Sequence, residues 1–235
     1  MKLKLLTAAL GLFVAGIAVT SGSAATLDDV KARGTLRCGV NTGLPGFAAQ
    51  NDAGQAVLDA STRILSTLQQ RRSEFRANPT VLRTFINSEL NKTFDRDYAA
   101  RLVLGVHGRG ASDADVKLFA DAMADNLMQR YGSALLEIQG KPTFRLKSES
   151  PLPGNRGVRV STELIRAGNE PTPVDYLMRN VNGQWKIFDV MIEGISYVQT
   201  FKTQFDAPLR QKSIQQVATE LRNGSMQAGQ APRGK

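Results

Sequence analysis

The sequence predicts an α+β domain, with N-terminal helices followed by an antiparallel sheet of about four strands, and three observations carry that prediction. Apolar residues between Ala56 and Tyr131 recur at spacings of three and four, the period of a helix with one buried face. Beyond Ser133 the period falls to two, as in a half-buried strand. Asn182-Gly183 then stands between two such runs, and that dipeptide accepts the positive φ angles of a type I′ hairpin turn. Helices first and strands afterwards argue for α+β rather than for alternating βαβ units.

The first helix begins at Ala56 and places Val57, Leu58, Ile64, Leu65 and Leu68 inward, with Gln69, Arg71 and Arg72 between. Asn78-Pro79 starts the next, Asn78 as cap and Pro79 in the first turn, ahead of Val81, Leu82, Phe85, Ile86 and Leu90. A third opens at Asp95 and carries Tyr98, Leu102 and Val103 before Gly105 ends it. Ser112-Asp113-Ala114-Asp115 reads as a capping box with Asp115 in place of Glu. The helix that follows aligns Val116, Phe119, Met123 and Leu127, with Tyr131 near its end and Gly132 closing it. Strands are expected over 135–148, 157–166, 172–180 and 184–193, punctuated by Pro151, Pro153, Gly154, Gly168 and Pro171. In the hairpin, Val174, Tyr176 and Met178 share one face, and so do Phe188, Val190 and Ile192. A last helix turns Ile214, Val217 and Leu221 inward and stops at Gly224, leaving 224–235 as a frayed tail.

The N-terminus has another character. Lys2 and Lys4 precede an uncharged apolar run from Leu5 to Val19 and then small residues, the pattern of a cleaved signal peptide over residues 1–24. The run is short of the roughly 20 apolar residues that span a bilayer. Without Lys2 and Lys4 the formal net charge falls from +9 to +7, and an exported basic chain meets anionic lipid or a membrane surface rather than nucleic acid. Cys38 is the single cysteine, so the fold has no internal disulfide. Residues 25–55 read as a loosely ordered segment of foreign texture: TLDDVKARGTLRCGVNTGLPGF resembles the opening of periplasmic amino-acid-binding proteins, and the resemblance stops near Phe47.

Candidate chemistry is sparse. His107 is the sole histidine and lacks partners at metal-ligand spacing, and no Gly-x-Ser-x-Gly elbow accompanies it, so it reads as a loop residue. Asp189 and Glu193 are either an acid/base pair or, more in keeping with a half-buried strand, salt-bridging or capping groups. Gly105, Gly108 and Gly110 form no phosphate loop, since no strand precedes them. Arg101, Arg109, Arg145, Arg159 and Arg179 are either phosphate-attracting groups around a cavity mouth or plain solvated charges. Many large apolar groups and few catalytic ones point to an apolar cargo.

Phe94 to Gly105 (FDRDYAARLVLG), the helix KLFADAMADNLMQRYGSAL, and the hairpin YLMRNVNGQWKIFDVMIEGISYVQTFKTQF together resemble the MlaC or toluene-tolerance family of periplasmic phospholipid-binding proteins. Trp185-Lys186, Asp189-Val190, Glu193-Gly194-Ile195-Ser196 and Phe205 fall in the family's order, and the likeness runs from about residue 56 to 222. His107 and Gly108 depart from it, standing where the family often has aromatic residues. The resemblance implies a non-enzymatic, monomeric carrier without cofactor or metal. Its implied cargo is a diacyl phospholipid, passed between an inner-membrane ABC transporter complex and an outer-membrane lipoprotein complex. Each acyl methylene costs roughly 0.8 kcal/mol in water, so such a carrier needs a dry cavity between sheet and helices. The expected lining is Tyr176, Met178, Phe188, Val190 and Ile192 from the hairpin, with Tyr98, Leu102, Phe119, Met123 and Leu127 from the helices. A small-molecule enzyme with Asp189 or Tyr176 in an apolar pocket, and an amino-acid-binding protein, are the competing readings.

Overall fold

The computed structural model describes residues 52–138 and 140–229, so the expected signal peptide, Cys38, nearly all of the segment 25–55 and residues 230–235 lie outside it. Five helices come first: α1 (Asp52–Gln70), α2 (Arg72–Ala77), α3 (Pro79–Thr93), α4 (Arg96–Leu104) and α5 (Asp113–Tyr131). Strands β1 (Thr143–Pro151), β2 (Val158–Ile165), β3 (Thr172–Val181), β4 (Gln184–Ile192) and the short β5 (Ile195–Ser196) follow. Helices α6 (Tyr197–Gln211) and α7 (Ile214–Arg222) close the chain. The five strands make one antiparallel meander in sequence order, so the fold is α+β. Among the described residues no helix is long and apolar enough to cross a membrane.

The helix starts follow the capping chemistry. The Asn78 side chain accepts from the Thr80 and Val81 backbone N–H groups at 3.1 and 3.4 Å, and Pro79 occupies the first turn. Asp95 accepts from the Tyr98 N–H at 3.2 Å and caps α4. Ser112 accepts from the Asp115 N–H at 3.1 Å, but the Asp115 carboxylate turns to the Ser112 hydroxyl at 2.8 Å, so only half of the expected box forms. The complete box is on α7, where Ser213 and Gln216 satisfy each other's backbone. Asn182 and Gly183 have φ of 53° and 84°, the left-handed pair that a type I′ turn requires.

Four boundaries differ from the sequence reading. Helix α1 starts at Asp52 rather than Ala56, because Ala53 and Val57 both bury against the sheet. The first strand begins at Thr143, not Leu135; Ser133–Glu137 is a turn of 3-10 helix. The adjacent Leu135 and Leu136 both pack on the cluster of Leu68, Phe75, Leu82 and Ile86, which an alternating strand cannot arrange. The strand β5 is an addition, formed where the Glu193-Gly194 turn folds Ile195 back onto Ile192. At the other end, residues 224–229 are docked rather than frayed, with Ala228 fully buried.

Three buried apolar clusters organise the molecule. One joins α4, α5, α6 and α7 around Phe119 and Phe205, whose rings meet edge-on at 5.3 Å. A second presses Ala53 and Val57 of α1 onto Val160, Val174, Tyr176 and Met178 of the sheet. The third holds α2 and α3 to the turn at Ser133–Glu137. Polar ties fix the helices relative to β3 and β4: the Asp95 N–H donates to the Ile187 carbonyl at 2.7 Å, and the Arg179 guanidinium pairs with the Asp95 carboxylate at 2.6 Å. Glu89, almost fully buried on α3, is bracketed by Arg63 of α1 at 2.7 Å and Lys92 at 2.8 Å. Burial opposes its charge, yet the hydrogen bonds from Lys92 and Arg63 prevail and hold its carboxyl below the ordinary range.

Gly157 shows how tightly β2 enters the sheet. Its φ is 137°, and a Cβ there would stand 1.9 Å from the Met178 carbonyl oxygen. Gly157→Ala should therefore lower the unfolding free energy by at least about 3 kcal/mol. Gly110→Ala, at a φ of 77° with open space around it, should cost only about 1 kcal/mol. Urea unfolding of the two variants checks the difference.

Candidate functional site

Helices α3, α4, α5 and α6 do not close fully on the end of β4; between them lies a cavity of about 660 Å³. That volume falls within the roughly 300–1,000 Å³ of typical ligand sites. Ile86 and Leu90 of α3, Phe94, and Ala99 and Val103 of α4 form part of the wall. Met123, Leu127 and Met128 of α5, Val190 and Ile192 of β4, and Val198 and Phe201 of α6 form most of the rest. The lining includes the small residues Ala99, Ala120 and Ala124 at helix positions facing inward. Larger side chains there would fill the space by ordinary core packing. Tyr131, Ile195 and Tyr197 belong to the wall yet are 40%, 53% and 42% exposed, so the apolar lining continues out to solvent at a greasy rim.

Four of the ten expected residues line this cavity: Met123, Leu127, Val190 and Ile192. The other six are elsewhere, for identifiable reasons. Tyr176 and Met178 share the sheet face with Val190, but α1 covers that part of the face. The Tyr176 hydroxyl, hydrogen-bonded to Ser61, is pushed up to about 12 by burial. Phe188 is the bulge residue of β4: Leu177 pairs with Asp189 and Met178 with Ile187, so Phe188 drops out of the alternation. Its ring instead meets Tyr98 edge-on at 5.2 Å, and the Arg179 guanidinium covers Tyr98 at 4.1 Å. Phe119 is fully buried against Phe205, and Leu102 packs on the same helical cluster.

None of the five arginines read as either mouth groups or plain solvated charges lines the cavity. Arg179 is bound to Asp95, Arg145 to Glu163 at 2.5 Å and Arg101 to Asp113, all ion pairs within the fold. The cation in the wall is Arg96, absent from the sequence reading, which pairs with Asp121 at 3.0 Å and donates to Asn91 at 3.1 Å. Its place could have been found from spacing, since 96, 99 and 103 share one side of α4. Phe201 and Val198 were equally available on the inner stripe of α6. His107 meets Asp206 of α6 at 2.9 Å, and that hydrogen bond holds the Asp206 carboxyl below its usual range. Among the described residues, no group of three His, Cys, Asp or Glu could hold a metal ion.

Asp189 is the buried acid of the wall, 5% exposed. Its carboxylate accepts from the Ser196 hydroxyl at 2.6 Å and from the Val198 N–H at 3.0 Å, at the start of α6. It thus anchors a helix N-terminus, where negative charge is favoured. Both oxygens are engaged by fixed donors.

The family model described as MlaC protein matches residues 58–223. This chain belongs to the MlaC family. It is 28% identical over 210 residues to the toluene tolerance protein ttg2D of Pseudomonas putida, covering 84% of this chain and 96% of that one. It is 23% identical over 171 residues to the intermembrane phospholipid transport system binding protein MlaC of Haemophilus influenzae, covering 72% and 79%. A solved phospholipid-binding protein from Ralstonia solanacearum, in complex with a phospholipid, superposes with a TM-score of 0.65 at 21% identity. That match covers 74% of this chain and 98% of the other and shows that the two share a fold. A 54-residue stretch, 23% of this chain, is 56% identical to the general L-amino acid-binding periplasmic protein AapJ of Rhizobium johnstonii, only 16% of that protein's length.

Burial raises the Asp189 carboxyl above its ordinary value, against the hydrogen bonds from Ser196, Val198, Val190 and Tyr197 that favour its charge. The folded MlaC domain therefore holds this proton more tightly than the unfolded chain. Its stabilising effect is complete below about pH 4 and is lost as pH rises through the folded value. Asp189→Asn removes that dependence. The stability of the parent relative to the variant should fall between pH 4 and pH 7, as read by urea unfolding at the two values.

Proposed function

We propose that this chain is a periplasmic phospholipid carrier that uses the cavity beside β4 to hold acyl chains away from water. The supporting observation is the lining itself: a mainly apolar wall from four helices and β4, extending to solvent at Tyr131, Ile195 and Tyr197. Each acyl methylene released into water costs roughly 0.8 kcal/mol, so a soluble route for lipid requires such a hollow. The polar head stays at the rim, where water is available.

The names of the relatives carry the next step. The Haemophilus influenzae relative is the binding protein of an intermembrane phospholipid transport system, and the Ralstonia solanacearum neighbour was solved with a phospholipid. By analogy with that system, this chain moves diacyl phospholipid between an inner-membrane ABC transporter complex and an outer-membrane lipoprotein complex, acting as a monomer. Such a role calls for no bond making or breaking. Of the two groups of the competing enzyme reading, Tyr176 is buried under α1, and Asp189 lines the cavity with both oxygens hydrogen-bonded at the start of α6.

Lipid extracted from the purified protein, identified by mass spectrometry, tests the reading. The parent should yield diacyl phospholipid near one molecule per chain; a protein free of lipid after expression with intact membranes would contradict it. Val190→Lys, which puts a charge into the wall, should lower the bound lipid at least tenfold while circular dichroism stays that of the parent. Met178→Ala, under α1 and outside the cavity lining, should lower stability by about 3 kcal/mol and leave lipid content unchanged. Equal lipid loss in both variants would show that the cavity beside β4 is not the binding site.

A further inference from the structure

The carrier reading, on which this inference rests, leaves one element unexplained: the residues after α7. The chain does not stop at Asn223 but turns back as Ser225–Gly229 and crosses from α5 to α6, two helices whose side chains line the cavity. Its fastening is polar. Asn126 of α5, 4% exposed, uses its whole amide: Nδ2 donates to the Leu221 carbonyl at 2.7 Å and the Met226 carbonyl at 3.0 Å, and Oδ1 accepts from the Ala228 N–H at 2.9 Å. The Tyr131 hydroxyl donates to the Gly229 carbonyl at 2.7 Å. Across the gap, Gln204 of α6 accepts from the Gly229 N–H at 3.1 Å and donates to the Gln227 carbonyl.

The end of this segment is part of the cavity. Gly229 lines it, with a φ of 88°, and a Cβ there would stand 3.2 Å from the Tyr131 ring and 3.3 Å from Leu127. Only glycine gives both that conformation and that approach. Beside these bonds, the segment's apolar packing comes from Met226 and the buried Ala228.

We propose that Asn126 is a positioning residue for the cargo: it holds Ser225–Gly229 as a strap between α5 and α6 that closes the cavity beside Tyr131 and sets how long phospholipid stays bound. Asn126 touches no lipid itself. It acts through Ala228 and the neighbouring Gly229, and Tyr131 and Gln204 complete the clasp at the far end.

The test uses the full chain loaded with a fluorescent diacyl phospholipid, with transfer to excess phosphatidylcholine vesicles followed in time. Each net hydrogen bond is worth roughly a two- to tenfold change in an opening equilibrium. The double variant Tyr131→Phe, Gln204→Ala, which keeps the ring in the wall, should release lipid about tenfold faster. Asn126→Ala should release it faster again. Hydrogen exchange at the Ala228 and Gly229 amides should quicken in parallel, while the circular dichroism of the double variant stays that of the parent. Release at the parental rate despite faster exchange at those amides would overturn the strap. So would unchanged amide protection in both variants. A parent chain that takes up no phospholipid at all would instead bring down the carrier reading beneath it.

Discussion

Apolar walls facing each other across a gap collapse unless something holds them apart, and the whole arrangement of this protein answers that constraint. Its core is not one mass but three clusters placed around a hollow, each closed enough to be stable without filling it. The spacers are polar and specific. Asp189 fixes the start of α6 to β4, the Asp95 N–H fixes the α3–α4 junction to Ile187, and Arg63 with Lys92 flank Glu89 between α1 and α3. Directional bonds have one optimum length, whereas apolar contacts reward any approach. A frame built from the former can keep the latter from closing.

The composition of the wall follows from the same requirement. Alanine at 99, 120 and 124 leaves volume where leucine would fill it, and methionine at 123 and 128 gives the wall flexible surface. A carboxylate near such a wall is tolerable only if its charge is used, and Asp189 is used twice, by Ser196 and by Val198. Stability and function therefore meet at β4: its last residues bound the cavity while its first ones, with Ile187, stay in the sheet core.

Much of this was legible in the chain, and what was not has physical causes. Helical spacing exposed α3, α4, α5 and α7, and Asn182-Gly183 announced the β3–β4 hairpin, because period and turn chemistry are local properties. Met123, Leu127, Val190 and Ile192 were found because an apolar stripe faces one way in helix or strand. The bulge at Phe188 leaves no mark in composition, yet it turns that ring away from Val190. Tyr176 and Met178 have the right parity and the wrong cover, since only the tertiary placement of α1 decides which part of a face is roofed. Arg96, the alanines and Gly229 were passed over because a wall read for large apolar groups hides the small and charged ones.

On the proposed function, acyl chains occupy the space enclosed by α3, α4, α5, β4 and α6. A diacyl phospholipid carrying a diazirine near the end of one acyl chain, loaded into the full chain and photoactivated, reports its surroundings directly by peptide mass spectrometry. Labels on Met123, Leu127, Val190 or Phe201 are the result expected here. Labels confined to the outer surface, or to Tyr176 and Met178 beneath α1, would contradict it.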